Sequence, residues 1–305
     1  VMARRWLVIA AVLGGVAAVV AVGVPRLRVE SRVVDDLPEE HPIVQTRATV
    51  ERLMGGTFPL TFLVHPANAA EIPELAEDPE LLDGLARFQA ALSELDGVQV
   101  YSGSVSVADY LRRGAEVLGG VEGLPTTREA AAQVGLILGS SVLEPYQDPE
   151  GTYVRIEVRV FDRGTAATFA FLERAEQAFR AAFGESARLE VQGFTYLAQR
   201  VHRDVVFSSM TSFCLDFVIV AVLVCLLFRS LRLTVLAIIP NVVPLLLTVA
   251  FMGLAGIDLR ISSSIVFSIV FGIAVDDTVH FLARYHEERQ AGLGPAAAAR
   301  RTIAT

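Results

Sequence analysis

The stretch ISSSIVFSIVFGIAVDDTVHFLA, residues 261–283, decides the fold, because it is apolar over about the length that crosses a bilayer. Its inner half carries two adjacent carboxylates, Asp276 and Asp277. Placing an ionised carboxylate in hydrocarbon costs roughly 2.5 to 3.5 kcal/mol on insertion scales, so such residues usually face a protein or water-lined interior and mark an ion pathway. The stretch therefore predicts a membrane protein, and a proton-coupled transporter is the first hypothesis.

Three further apolar runs predict membrane spans at 6–24, 205–228 and 233–254. A signal peptide has flanks like those of the first run, but this run is long for one and no small-residue cleavage site follows it, which favours a retained helix. The sequence thus predicts a multi-pass protein of the inner (plasma) membrane that starts in the cytoplasm and has a large extracytoplasmic domain between spans one and two. Arginine stands at every predicted cytoplasmic end, in agreement with the positive-inside rule: Arg4, Arg5, Arg229, Arg232, Arg284 and Arg289.

Residues 29–200 differ from the spans in charge and in pattern. From Pro25 to Arg200 there are 27 acidic and 16 basic residues, a net charge of −11, whereas the remainder has 7 acidic and 10 basic residues, a net charge of +3. Short strands and amphipathic helices form two strand-helix-strand units, at 29–118 and 119–200, and each unit is able to fold into a small α+β sandwich. The predicted strands are 58–65, 97–102, 152–162 and 187–192, and the predicted helices are 42–54, 79–95, 105–118, 127–140 and 165–183.

Strand 152–162 shows the clearest alternation of the domain. Its apolar residues point one way and its charged residues the other, so one face of the sheet needs to be covered by helices. The apolar set is Val154, Ile156, Val158 and Val160, and the charged set is Arg155, Glu157 and Arg159.

The candidate proton-relay residues lie in two of the spans. On a helix, Asp276 and Asp277 point about 100° apart, so at most one of them faces directly along a narrow seam. His280 is one turn from both, and an imidazole in that position can pass or share a proton with a carboxylate. The alternative is that Asp277 and His280 are solvated at the cytoplasmic mouth. Asp216 is either a second relay carboxylate or a substrate-path carboxylate near the middle of its span, or it lies near the outer surface on a helix that extends beyond the membrane.

The third and fourth spans also carry candidate hinge and packing residues. Pro240 and Pro244 remove backbone donors and bend the third span, either as a static kink or as a hinge. Asn241, between them, can satisfy a freed carbonyl or reach across to another helix. Gly272, with neighbouring serines, gives the fourth span a small-residue face for close helix contact.

The chain resembles the resistance-nodulation-division (RND) superfamily, specifically its MmpL-type exporters. The resemblance rests on the order of one span, an outer domain and closely spaced spans, and on the segments IIPNVVP at 238–244 and FGIAVDDTVHFLARYHEE at 271–288. It implies a membrane α-helical bundle, with four predicted spans present, and an α+β extracytoplasmic porter-like domain inserted between spans one and two. The expected parts are 1–28, 29–200, 201–283 and 284–305, the last a cytoplasmic helix and the start of a fifth span.

The resemblance further implies that the sequence is a fragment of a two-half transporter, and the Asp-Asp-Thr form favours the second half. It implies proton-motive-force-driven export of lipids or other hydrophobic or amphipathic molecules, with Asp276 on the position of the proton-relay carboxylate. The implied partners are the other half, a hydrophobic or lipid substrate, membrane lipids and further copies of the chain. Two alternatives are a Patched-like protein that senses lipid or sterol and a SecDF-like accessory to protein translocation.

Other classes of function find little support in the sequence. It has no G-x-S-x-G, Walker A or H-E-x-x-H motif, so no enzyme and no cofactor are expected. Among Asp276, Asp277 and His280, the i and i+4 spacing suits two metal ligands, but no third strong ligand lies close in sequence. No basic patch interleaved with aromatic residues indicates a nucleic-acid partner. Cys214 and Cys225 lie about 16 Å apart on one predicted helix and cannot form a disulfide there.

Overall fold

The computed structural model describes residues 2–30, 37–38, 40–67, 74–95, 100–120 and 122–304, and for residues 2–10, 12–13, 232 and 236 it describes the backbone alone. The chain divides into two compact units, one of residues 31–201 and one of residues 1–30 with 202–305. The boundary falls inside a long helix, between Val201 and His202.

The unit of residues 31–201 contains both strands and helices, whereas the elements described in the other unit are all helices. The strands are β1 (Phe58–Pro66), β2 (Tyr101–Ser106), β3 (Val154–Val160) and β4 (Ala187–Gln192). The helices are α1 (Met2–Gly23), α2 (Pro42–Met54), α3 (Pro79–Ser93), α4 (Val107–Gly114), α5 (Arg128–Leu138), α6 (Ser140–Leu143), α7 (Thr165–Phe183), α8 (Phe194–Phe228), α9 (Leu231–Ala255), α10 (Ile261–Gln290) and α11 (Pro295–Ile303).

The four strands form one antiparallel sheet in the order β2-β3-β1-β4. The prediction of two separate sandwiches is therefore wrong: β1 and β2 are not neighbours, and both pair with β3 from the second half of the unit. A helix about 10 Å across covers two strand spacings of about 4.8 Å, so a strand-helix-strand segment leaves a gap one strand wide. Each half fills the gap of the other, which gives a ferredoxin-like βαββαβ sheet.

One face of this sheet forms the core of the unit. The predicted alternation in β3 is confirmed, since all four of its apolar side chains are buried and the charged ones between them are not. Phe62 of β1 stacks on Phe88 of α3 with ring centroids 6.0 Å apart, and Phe88 meets Phe179 of α7 edge to face at 5.3 Å. On the opposite face Thr61 donates a hydrogen bond to Glu157. The helices therefore cover one face of the sheet, as its alternation requires.

Two predicted elements of this unit differ in the structure. The strand predicted at 97–102 is β2 at Tyr101–Ser106, and 96–99 lie outside the described residues. Its position is set by pairing with β3, with an irregularity between Tyr101 and Gly103, and not by its own β propensity. The helix predicted at 127–140 ends at Leu138, because Gly139 has a φ of +86° and α6 begins after it.

Three helices of the other unit are long and apolar enough to cross a membrane: α8 with 35 residues, the 23 residues of α9 from Leu233, and α10 with 30 residues. They follow the α+β unit in the chain, and a further helix, α1, covers the predicted first span. Aromatic contacts join α8 to α10, with the Phe213 and Phe271 ring centroids 5.1 Å apart. The chain thus combines three long apolar helices with an α+β region N-terminal to them.

α1 packs against α9 through two glycines. A Cβ atom on Gly23 would lie 2.6 Å from the Cα of Ala250, and a Cβ atom on Gly253 would meet the carbonyl oxygen of Gly23 and lie 3.0 Å from the Leu27 nitrogen. The two backbones are therefore in contact, which small residues permit between membrane helices. Beyond this crossing, the Leu259 N–H donates to the Arg28 carbonyl at 2.8 Å, so the segment after α1 is tied to the turn between α9 and α10.

Replacing Phe88 with alanine is expected to destabilise the α+β unit by about 3 to 5 kcal/mol, because the fully buried ring leaves a cavity between the sheet and α7. Hydrogen exchange of the β1 amides in the full-length protein measures this loss. Leu136→Ala is the control, since Leu136 is 84% exposed and should change protection by less than about 0.5 kcal/mol. Equal effects of the two substitutions would contradict the packing described for Phe88.

Replacing Gly253 with alanine is expected to destabilise the α1–α9 crossing by about 1 to 3 kcal/mol, because the new methyl group needs space that the Gly23 backbone occupies. The melting temperature of the detergent-solubilised protein should fall. Gly15→Ala, on α1 but with nothing within 4 Å of its Cβ position, should leave that temperature unchanged or raise it slightly. A fall of similar size in both variants would argue against close contact at Gly253.

Candidate functional site

The candidate site is centred on a hydrogen bond between α9 and α10. Asn241 is buried, and its Nδ2 donates to Thr278 Oγ1 at 2.9 Å and to the Ala237 carbonyl at 3.1 Å. The Thr278 hydroxyl lies 2.9 Å from the Ala274 carbonyl, to which it can donate. Each polar group thus has a partner, as buried amides and hydroxyls require. This contact joins the proline-containing segment of α9 to the residue directly after the two carboxylates.

The predicted relay residues Asp276 and His280 contact each other. His280 Nε2 lies 3.4 Å from Asp276 Oδ1, one turn along α10, and the two side chains are 80% and 72% exposed. The pair therefore faces away from α8 and α9, which pack on the side of α10 that carries Phe267 and Phe271. An imidazole at this distance can exchange a proton with the carboxylate through a small movement of either side chain.

The exposed face of α10 that precedes this pair is apolar. Ile273 is exposed one turn before Asp276, and Ile269 is exposed two turns before it, on the same side of the helix. Gly272 is also exposed, and nothing lies within 4 Å of its Cβ position. Its predicted packing role has no counterpart among the residues that the structure describes and stays a prediction. This face carries a small residue, large aliphatic residues and the Asp276–His280 contact, and no helix of the described chain covers it.

Asp277 has different surroundings from Asp276. It lines an open cavity of about 500 Å³ bounded by α9, α10 and α11, where Pro240, Thr278 and Tyr285 are among its neighbours. The two adjacent carboxylates thus point to different sides of α10, in keeping with their angular separation. Among the residues that the structure describes, His280 contacts Asp276 and not Asp277.

The remaining predicted residues lie apart from this pair. Asp216 is exposed on α8 between the exposed residues Leu215 and Val218. Pro240 and Pro244 are both exposed, and α9 runs as one helix through them, so the choice between static kink and hinge stays open. Asn241 reaches across to α10, as one of its two predicted roles requires. On its own helix it donates to the Ala237 carbonyl. The carbonyl that Pro240 leaves without a helical donor is the preceding one, that of Leu236.

Two residues of the site, Thr278 and Tyr285, are not among the sequence-based candidates. Thr278 holds Asn241, and Tyr285 lines the cavity of Asp277. A signal for Thr278 is present in the sequence, because a polar residue in each of two neighbouring apolar spans is expected to find a partner there. Tyr285 follows Asp277 by eight residues, about two turns of helix, but the cavity depends on α11 and cannot be read from α10 alone.

Fold and site together define a membrane protein in which an α+β unit with a four-stranded antiparallel sheet precedes three long apolar helices, one of them carrying adjacent carboxylates. The chain belongs to the MMPL family, within the RND superfamily, since the model of that family matches residues 105–305. The family expected from the two sequence segments is thereby confirmed. The chain is also 22% identical over 267 residues to "Putative membrane protein MJ1562" of Methanocaldococcus jannaschii, a match that covers 84% of this chain and 65% of that protein.

The hydrogen bond between Asn241 and Thr278 predicts a measurable coupling between the two side chains. In a double-mutant cycle of Asn241→Leu and Thr278→Val, we expect a coupling energy of about 0.6 kcal/mol and at most about 1.7 kcal/mol, the range found for hydrogen bonds between membrane helices. Unfolding of the purified full-length protein in denaturing detergent gives the four free energies. Thr248→Val is the control, because the Thr248 hydroxyl bonds the Pro244 carbonyl of its own helix. Additive effects of the first pair would rule out a bond across the helices.

Proposed function

We propose that the chain forms part of a proton-coupled RND-type exporter in which Asp276 accepts and releases the coupled proton with His280 beside it. The contact between Asp276 and His280 on the free face of α10 carries the proposal. A carboxylate that is neutral in one state and charged in another changes how favourably this face meets hydrocarbon or protein. Protonation can therefore bias the packing of α10 between two arrangements, which is what coupling to transport requires.

The free face of α10 supports a second set of spans as partner. An aspartate and a histidine exposed among Ile269 and Ile273 would be costly against acyl chains, whereas a facing helix with polar groups would cover them. The partner that fits is the other half of the transporter, with its own spans packed on α10. In this arrangement Gly272 allows close approach of the facing helix, which is the role predicted for it.

The cavity at Asp277 supports a proton route to the cytoplasmic side. α11 and the Gly-Pro break before it follow the predicted cytoplasmic end of α10, so a cavity that α11 bounds opens toward that side. Asp277 and Tyr285 both line it, and these side chains can pass a proton to water there. Asp276 then faces the partner half, while Asp277 serves exchange with the cytoplasm.

Asp216 fits a membrane-embedded role better than a surface role. It precedes Phe228 by 12 residues, which is about 18 Å along α8, and Arg229 marks the predicted cytoplasmic edge. In a hydrocarbon layer about 30 Å thick, this places Asp216 near mid-depth. The N-terminal part of α8, and not Asp216, is then the part that extends beyond the membrane.

The substrate class that we propose is lipid-like or otherwise apolar. A cavity of about 360 Å³ between α8, α9 and α10 has only apolar lining residues, among them Met210, Phe217, Leu246 and Phe267. Such a lining accommodates an acyl chain or an aromatic group and offers nothing to a sugar or an ion. The MMPL membership supports transport, and the cavity supports this class of cargo.

The test uses the full-length protein in proteoliposomes under an imposed pH gradient, with export of a fluorescent phospholipid analogue and a pH-sensitive dye as two readouts. Asp276→Asn should reduce both export and coupled proton flux at least tenfold, because asparagine cannot carry the proton. Glu287→Gln, an exposed carboxylate further along α10, should retain both activities.

Each alternative class predicts a different outcome of the same test. Normal proton flux and export in Asp276→Asn would overturn the proposed role of Asp276. Binding of the lipid analogue without any dependence on the gradient would favour a Patched-like sensor. Binding of unfolded polypeptide in place of the lipid analogue would favour a SecDF-like accessory.

A further inference from the structure

An open cavity of about 510 Å³ lies where the chain leaves α1 and passes the end of α9. Arg26 and Arg28 line it together with Asp258, and Gly253 and Gly256 form part of its wall. Both arginines are exposed, and neither forms an ion pair with a residue that the structure describes. The hydrogen bond from the Leu259 N–H to the Arg28 carbonyl fixes one side of the cavity against the other.

The positive-inside rule does not explain these two arginines. It accounts for the arginines at the cytoplasmic ends of the predicted spans, whereas Arg26 and Arg28 follow the opposite end of α1. The membrane surface near that end offers this exposed cationic pair a partner in its phosphate groups. Basic pockets between membrane helices are a known way of binding lipid headgroups.

The surface next to the cavity is apolar. Val22 and Val24, around the end of α1, and Phe251 and Leu254, near the end of α9, are all exposed. Each lies within about one helical turn of a residue that lines the cavity. A cationic cavity thus borders apolar helix surface at the end of two apolar helices, which matches the two parts of a phospholipid.

We propose that Arg26 and Arg28 bind the phosphate of an anionic glycerophospholipid whose acyl chains lie along α1 and α9. The guanidinium fork suits a phosphate, and Asp258 can accept a hydrogen bond from a hydroxyl of the same headgroup. A free phosphate shares this chemistry but makes no use of the apolar surface. The inference rests on the proposed function in one respect. It needs the membrane topology of the proposed exporter, in which the ends of α1 and α9 lie at the boundary between water and hydrocarbon.

The test measures the affinity of phosphatidylglycerol for the purified full-length protein by native mass spectrometry. The variant Arg26→Gln with Arg28→Gln should bind it about 30-fold more weakly, since two basic residues near a headgroup each contribute a factor of roughly five. Arg26→Lys with Arg28→Lys should retain most of the affinity. Arg284→Gln with Arg300→Gln removes the same charge at exposed positions elsewhere and should bind like the wild type.

Unchanged affinity in the Arg26 and Arg28 glutamine variant, or an equal loss in the Arg284 and Arg300 variant, would overturn the site. Phosphatidylcholine, whose headgroup has no hydroxyl donor and no net charge, should bind more weakly than phosphatidylglycerol. Binding of inorganic phosphate as tightly as phosphatidylglycerol would show that the apolar surface contributes nothing to the site, against the proposal. Asp276→Asn should bind phosphatidylglycerol normally, so failure of the transport proposal and failure of this one appear in separate assays.

Discussion

The hydrogen bond between Asn241 and Thr278 is the contact on which the arrangement of the carboxylates depends. A buried amide in hydrocarbon has no water to bond, so Asn241 must find a partner on a neighbouring helix or on its own backbone, and it has both. With Thr278 directed toward α9, Asp277 points about 100° and Asp276 about 200° around α10 from it. One interhelical contact therefore directs Asp277 to the cavity beside α11 and leaves Asp276 with His280 on the free face.

The α+β unit meets a different constraint, because its two halves depend on each other. β1 pairs with β3 from Phe58 with Val160 to Val64 with Val154, which joins residues about ninety or more positions apart. Neither strand-helix-strand half can form this sheet alone, since each leaves a strand-wide gap. Long-range pairing of this kind costs loop-closure entropy before the stabilising contacts between the strands can form. The unit is therefore expected to form its sheet cooperatively.

The sequence predicts elements better than it predicts their partners. The bounds of α7, β4 and α2 match the predicted ranges. A strong periodicity of apolar residues, or a glycine or proline at the ends, fixes these bounds locally. The single sheet, the position of β2 and the break at Gly139 depend on pairing or on a local φ that the pattern does not determine. At the site, sequence identifies Asp276, His280 and Asn241 by chemistry, but which groups they face depends on the relative rotation of α9 and α10.

Arg26 and Asp276 both interrupt the apolar surface of the helical unit, and they differ in which groups can reach them. Arg26 lies just beyond the end of α1, where a lipid headgroup can reach it. Asp276 lies 15 residues from the start of α10, which is about 22 Å along the helix and beyond the reach of a headgroup at that end. A lipid headgroup at that end can therefore reach Arg26 but not Asp276. Position along the helix thus distinguishes two surfaces. The surface at Asp276 is the one that we propose packs against the partner half, and the surface at Arg26 is the one that we propose contacts the bilayer.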